Sequence, residues 1–483
     1  MNLRASLAQP WAKAGDAYST PGTLIVKLPL GEAPDTIPHW RDVQAGAHPA
    51  AAQMGVAAID RTLRHFSDTV RITRLHASAA GLGRPGRGHL GFDGLEHAVG
   101  LSRTFRVDVD QDCSIAHVVH ALRELAYVEE ATPHYLCVTP FVAAAEPARH
   151  YDAAWQAREQ IYGPQAMAYE PGDASVTVAI IDTGAQQAHP ELRGRLRRGD
   201  DTVQLDRGDV PTGLKLLSGP DMDNDETEDI VGHGTACAGI IGARGAQMPP
   251  GLAGNCSLLP IRVLGAALFP GKTAPVGIGA IADIDCGLKI AIDLGAKVLN
   301  LSFGTPFSAL DVGAPTPHAD MVQYALARGC ILIAASGNSG KDEAFLPAAL
   351  DGVIAVGAVG QNGQPTAFST RGAHVALCAP GEKVVSAGLQ GYASVTGTSF
   401  AAPFVTAAAA LLVSRAERRG QPLDGITVRR ILCETARAWP VRSAVTGCGA
   451  GVLDVHAALT ALDRELDSQR QRQHAARHAH TTA

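Results

Sequence analysis

Short, continuously apolar runs alternate with amphipathic stretches through most of the second two-thirds of the chain. Val176–Ile181, Leu258–Val263, Val298–Leu301, Ile331–Ala334 and Val353–Val356 are predominantly aliphatic, broken only by Thr177, Pro260, Arg262 and Asn300. Such runs predict strands buried on both sides. Between them, apolar residues recur at helical spacing over His233–Ile241, Ile278–Leu294 and Met321–Ala327. In the second of these, Ile281, Ile284, Leu288, Ala291 and Ile292 share one face. Buried strands separated by amphipathic helices imply an α/β unit: a doubly wound parallel sheet with helices on both faces.

The first part of the chain reads differently. Strands are expected at Thr23–Leu28, Ser102–Val109 and Tyr135–Val138, and helices at Ala51–Phe66 and Ser114–Leu125. Ile115, Val118, Val119 and Leu122 form the apolar stripe of the second helix. This predicts a small α+β domain over residues 21–139 with a glycine-rich insertion at Gly81–Gly91. An Ala-rich stretch between Pro140 and His150 marks a linker, residues 140–154, and the α/β unit spans 155–463. Residues 1–20 and 464–483 lack an apolar stripe and are expected to be disordered.

Composition narrows the classes. The 483 residues carry 41 Lys and Arg against 47 Asp and Glu, a net −6, which argues against a nucleic-acid partner. Hydrophobic residues are 46% and charged ones 18%, the balance of a globular chain. The longest apolar stretch, Ala401–Val413, is interrupted by Pro403 and Thr406, so no membrane span is expected. The N-terminus lacks the apolar core of a secretory signal. Nine cysteines leave at least one thiol unpaired, and none forms a CxxC metal site. Both features favour a reducing, cytoplasmic setting over secretion.

Three segments carry candidate chemistry. Val178–Gly184 is a buried strand that ends abruptly in Asp182, at the edge where open α/β sheets build their sites. Gly232–Gly239 places His233 between two glycines, which leave room for another backbone to approach. Gly397–Pro403 sets Ser399 at the head of an apolar helix, where free N–H groups favour negative charge. Singly, each has an ordinary structural reading: a helix-capping Asp, a core His, a capping Ser. Together they are an Asp, a His and a Ser separated by 51 and 166 residues. That is the chain order of the subtilisin triad.

The chain therefore resembles the subtilisin (subtilase) family of serine endopeptidases. The resemblance extends to Val298–Gly304, Ala334–Asn338, Leu346–Ala348, Val353–Ala358 and Gly449–Asp454. It implies a subtilisin-like fold and hydrolysis of protein or peptide substrates through an acyl-enzyme. Ser399 is implied as nucleophile, His233 as general base and Asp182 as its partner, with Asn338 in the oxyanion hole. Ser302, Phe303, Gly304, Ala335, Ser336 and Gly337 are implied to bind the substrate backbone.

Departures from the family pattern are Ala236 for a usual His, Phe400 for a usual Met and Phe404 for a frequent His. Phe345 falls near the base of the family's primary specificity pocket. The chemistry requires no cofactor. Structural calcium is doubtful, because Glu191 stands at a usual ligand position but the facing loop, 244–251, holds no carboxylate. The acidic run from Asp221 to Asp229 lacks the spacing of a calcium loop and reads as a solvated flap. Metal ligands are thus unknown. Gly277–Ala282 imitates a dinucleotide fingerprint without the strand run before it, and that reading is set aside.

Residues 21–139 resemble the propeptide of such proteases. That resemblance implies a zymogen whose N-terminal domain acts as an intramolecular inhibitor and is removed by self-cleavage. Two alternatives remain open: a catalytically silent binding protein of the same fold, and a processing protease dedicated to one partner.

Overall fold

The computed structural model describes residues 19–139, 146–147, 152–210, 214–217, 227–269, 273–309, 314–439 and 446–481. The N-terminal unit forms four strands: β1 (Ser19–Lys27), β2 (Arg71–Arg74), β3 (Thr104–Asp108) and β4 (Glu130–Val138). They pair antiparallel in the order β2-β3-β1-β4. Helices α1 (Ala57–Phe66) and α2 (Ile115–Arg123) cover one face, where Leu24, Val26, Ile59, Phe105 and Val118 form a closed core. The expected helix at Ala51 begins only at Ala57, because Ala51 bridges to Ile72 beside β2.

The larger unit is built on six parallel strands. In chain order they are β5 (Thr177–Asp182), β6 (Ser257–Arg262), β8 (Val298–Leu301), β9 (Ile331–Ala335), β10 (Ile354–Val359) and β11 (Val375–Pro380). The sheet order is β11-β10-β9-β8-β5-β6, extended at one edge by Asp200–Asp201. Every residue of β5 is buried, as a continuous apolar run requires. Alternation sorts its side chains. Val178 and Ile180 face a core shared with α3 (His233–Gly242) and α6 (Thr398–Arg418). Ala179 and Ile181 face α4 (Ile281–Asp293) and α5 (Ala319–Ala327) on the other side. Helix α6 has the length and apolarity of a membrane span, yet 94% of its apolar window is buried in the centre of this unit.

The two units share a sheet. Strand β7 (Val276–Ala280) pairs antiparallel with the end of β4, Ala280 opposite Leu136 and Ile278 opposite Val138. The four N-terminal strands thereby become part of a seven-stranded antiparallel sheet that ends in Gly265–Leu268 and Lys215–Leu216. This shortens the helix expected at Ile278–Leu294, whose first three residues belong to β7. Glycine is required there: a Cβ on Gly279 would lie 2.3 Å from the Val263 carbonyl oxygen.

The termini also differ from expectation. Residues 1–18 lie outside the described residues, but Ser19 and Thr20 already belong to β1. Instead of a disordered tail, helix α7 runs from Val455 to Thr481. Leu459, Leu462 and Leu466 bury against the core, and Arg419 pairs with Asp467 at 2.6 Å. Beyond them the sequence has no Gly or Pro and is rich in good helix formers, so the helix continues without an apolar stripe. In the expected linker, Glu146–Pro147 pairs with the strand Tyr392–Val395, and a helix spans Asp152–Glu159; residues 140–145 and 148–151 lie outside the described residues.

Candidate active site

The carboxyl end of β5 delivers Asp182 to the sheet edge, fully buried. Its Oδ1 accepts the Thr183 N–H at 2.8 Å and lies 2.7 Å from His233 Nδ1. This closeness depends on Gly234, where a Cβ would sit 2.2 Å from the Gly184 carbonyl oxygen and 3.0 Å from Asp182 Cβ. His233 opens α3, and its side chain is 11% exposed. Burial pulls its pKa down, but the charges of Asp182 and Asp229 and the bond to Asp182 outweigh it, and the net shift is upward from 6.5. The Phe400 ring packs 5.1 Å from the imidazole, taking the place of a usual Met.

Asp229 organises this segment, and the sequence reading missed it. Its carboxylate accepts from the N–H groups of Val231, Gly232 and Thr235, the Thr235 hydroxyl and the Thr183 hydroxyl, all between 2.7 and 2.9 Å. Thr183 Oγ1 in turn accepts the Gly234 N–H at 3.0 Å. The expectation of a solvated flap therefore fails at Asp229, which is fully buried; Glu228 is exposed, and Asp221–Glu226 lie outside the described residues. An Asp a few residues before a helix start is the local signal that was available.

Ser399 lies in the first turn of α6. Its hydroxyl donates to the Ser302 carbonyl at 3.2 Å, and the Ser302 hydroxyl donates to the Ser399 carbonyl at 2.7 Å. Cys237, one turn beyond His233, points its thiol at the same Ser399 carbonyl at 3.5 Å. Ligand atoms of Cys237, His233 and Asp182 lie within 4.8 Å of one another. Burial raises the Cys237 thiol well above 9, which keeps it neutral. Asn338 follows the positive-φ residue Gly337 (φ 105°), and its Oδ1 is 2.9 Å from both the N–H and the hydroxyl of Thr398. Those contacts fix the amide orientation. Asn338 Nδ2, His233 Nε2 and Asp182 Oδ2 are then buried polar atoms without a partner among the described residues. Such groups are uncommon, and a catalytic role is one of the physical reasons that account for them.

The residues expected to bind substrate turn their side chains inward. Phe303 is fully buried against His318, and the Ser336 hydroxyl donates to the Thr370 carbonyl at 3.0 Å. Ala335 is fully buried, and Ser302 serves α6 as described. What Ser302–Gly304 and Ala335–Gly337 offer is backbone.

Glu191 does not offer calcium ligation. Its two oxygens accept from the N–H groups of Gly245, Ala246, Gln247 and Met248 at 2.7–3.2 Å and from Tyr392 Oη at 3.1 Å. Burial works against this charge, yet the N–H bonds from Gln247, Ala246 and Gly245 and the Tyr392 hydroxyl hold its pKa below the usual value. The loop turns donors toward Glu191, the wrong polarity for a cation. None of the nine cysteines is joined in a disulfide.

Comparison with known proteins agrees with this geometry. Residues 173–471 match the subtilase family model. A thermophilic serine proteinase from Bacillus sp. (strain AK1) is 34% identical over 334 residues, covering 67% of this chain and 71% of that protein. Thermitase from Thermoactinomyces vulgaris is 34% identical over 261 residues, 53% of this chain and 81% of it. Among solved structures, a protease from Pseudoalteromonas arctica PAMC 21717 superimposes with a TM-score of 0.52 and 25% identity, over 66% of this chain and 100% of that one. A parallel sheet with Asp182 at its edge, His233 opening one flanking helix and Ser399 at the head of the central helix thus belongs to a member of the subtilase family, a serine endopeptidase whose catalysis needs no cofactor.

Proposed function

We propose that Ser399, His233 and Asp182 perform peptide-bond hydrolysis as nucleophile, general base and orienting carboxylate. The observation that carries this is the 2.7 Å contact between Asp182 Oδ1 and His233 Nδ1, which leaves Nε2 as the open ring nitrogen. With Nδ1–H donated to Asp182, Nε2 is the basic atom and takes the Ser399 hydroxyl proton as Oγ bonds to the scissile carbon. The carbonyl oxygen becomes an oxyanion held by Asn338 Nδ2 and by a free N–H in the first turn of α6. The C–N bond then breaks, the Nε2 proton passes to the leaving amine, and water repeats the sequence on the acyl-enzyme. Substrate backbone pairs with Ser302–Gly304 and Ala335–Gly337. Ser399→Ala should abolish both turnover and labelling by a fluorophosphonate; cleavage that persists in the variant would sink the assignment.

A second reading concerns residues 21–139, which act as the enzyme's own inhibitor and are released by self-cleavage. It is supported by the end of β4. The Thr139 N–H donates to the Gly277 carbonyl at 2.9 Å, and the Cys137 thiol lies 3.7 Å from the Gly304 carbonyl oxygen. The strand thus runs beside the backbone assigned to substrate, as a substrate strand would. Nine cysteines with no disulfide among them fit a reducing compartment.

A further inference from the structure

The ring of Phe345 fills the space between the two backbone segments assigned to substrate. We infer that it closes the primary specificity pocket, so that the enzyme cuts after residues with small side chains. The inference rests on the triad and oxyanion assignment above.

The geometry follows from where a reacting carbonyl must sit. Its carbon is bonded to Ser399 Oγ, which lies 3.2 Å from the Ser302 carbonyl oxygen, and its oxygen faces Asn338 Nδ2. The Cα of the residue that donates the carbonyl is one bond, about 1.5 Å, from that carbon. Its side chain therefore enters between the backbone leading on from Ser302 and the backbone leading up to Asn338. Both walls carry a glycine, Gly304 on one side and Gly337 on the other, and a slot between glycines is open unless something else occupies it.

Phe345 occupies it. A Cβ on Gly304 would lie 2.5 Å from Phe345 Cε1, and a Cβ on Gly337 would lie 2.9 Å from Phe345 Cγ. One ring touches both walls. The residue is only 6% exposed, and its backbone is held in a short strand that pairs Phe345 with Pro306 and Leu346 with Thr305. An incoming side chain meets an apolar surface at the depth of a methyl group, which admits Gly, Ala or Ser and excludes Phe, Tyr or Leu. The stretch joining the two units offers such residues at Ala143, Ala144, Ala145 and Ala148.

The test is a set of peptides identical except for Gly, Ala, Leu or Phe on the acyl side of the cut bond. The wild-type enzyme is expected to favour Ala over Phe and Leu by at least about tenfold in kcat/KM. Phe345→Gly should narrow or invert that ratio, and Phe345→Leu, which keeps most of the packing, should fall between. Wild-type cleavage after Phe as fast as after Ala overturns the closed pocket, as does an active Phe345→Gly enzyme with an unchanged ratio. A fluorophosphonate with a small leaving group needs no deep pocket. Failure to label wild-type Ser399 together with no peptide cleavage overturns the triad assignment instead.

Discussion

The Ser302 hydroxyl donates to the carbonyl oxygen of Ser399 at 2.7 Å, and the helix itself leaves that oxygen open. In an α-helix the acceptor at residue 399 belongs to the N–H of residue 403, and Pro403 has none. Ser302 takes over that role, and Asn300 Nδ2 steadies its hydroxyl at 2.9 Å. A proline that removes a backbone donor thus ties the nucleophile's turn to the segment assigned to substrate. Ser302→Ala leaves the carbonyl with only the weak thiol of Cys237. Stability should fall by about 1–3 kcal/mol, read by urea unfolding in a Ser399→Ala background.

Asn338 is oriented by Thr398 and kept open at Nδ2. Asn338→Ala should retain the fold and lower kcat by roughly 10²–10³ with little change in KM, as for loss of the oxyanion Asn of subtilisin. Thr398→Val removes one of the two groups that fix the amide and should give a smaller loss in kcat. If Asn338→Ala leaves kcat unchanged, the oxyanion lies elsewhere.

The raised pKa of His233 sets the acid limb of activity. Only neutral imidazole accepts the serine proton, so kcat/KM should reach half its plateau above pH 6.5. The same shift acts on stability with the opposite sense. Imidazolium is favoured in the folded state, so its contribution is fully present below about pH 6.5 and is lost as pH rises through the folded value. Stability of the Ser399→Ala protein should therefore decline across that window, and Asp182→Ala should flatten the decline. A flat profile before the second substitution would contradict the coupling.

Glu191 holds the 244–251 loop with a carboxylate where a cation is usual. Glu191→Ala orphans four backbone N–H groups and should destabilise the protein by about 2–4 kcal/mol. Because the folded pKa is depressed, this stabilisation is present above about pH 4.5 and lost as pH falls through the lower folded value. EDTA should leave the loop's resistance to an added protease unchanged, whereas Glu191→Ala should expose it. Loop cleavage on chelation alone would mean that a metal holds it.

The N-terminal unit docks through buried charge as well as through β4. Lys289 Nζ on α4 lies 2.6 Å from Glu96 of the N-terminal unit and 2.6 Å from Asp293, nearly without exposure. Wild-type protein should be cut between residues 140 and 151, with Ser399→Ala remaining at full length by intact mass. Separately expressed residues 19–139 should inhibit the processed enzyme, and Glu96→Ala should weaken that inhibition by roughly 30-fold, about 2 kcal/mol. An active, uncut enzyme that residues 19–139 do not inhibit would assign this unit another task.

Much of the architecture was legible in the chain, for a local reason. Strands buried on both faces need predominantly apolar runs, so β5, β6, β8 and β9 announce themselves within a residue at each end, whereas β10 runs three residues past its expected end. Asp182, His233 and Ser399 each stand in a short segment whose glycines and small residues exist to let backbones approach. What tertiary structure alone decided are relationships between distant residues. Asp229 reads as one more acid until its partners at 183 and 231–235 surround it, and Glu191 reads as an acid at a doubtful calcium position until four N–H groups close on it. The β4–β7 pairing joins residue 138 to residue 278, and neither segment's pattern names the other. Helix α7 outlasts its apolar stripe on propensity and ion pairs, which periodicity does not register. Phe345 is an ordinary apolar residue in the sequence; only the fold sets its ring between Gly304 and Gly337, because side-chain volume acquires a function only where two other backbones leave room for it.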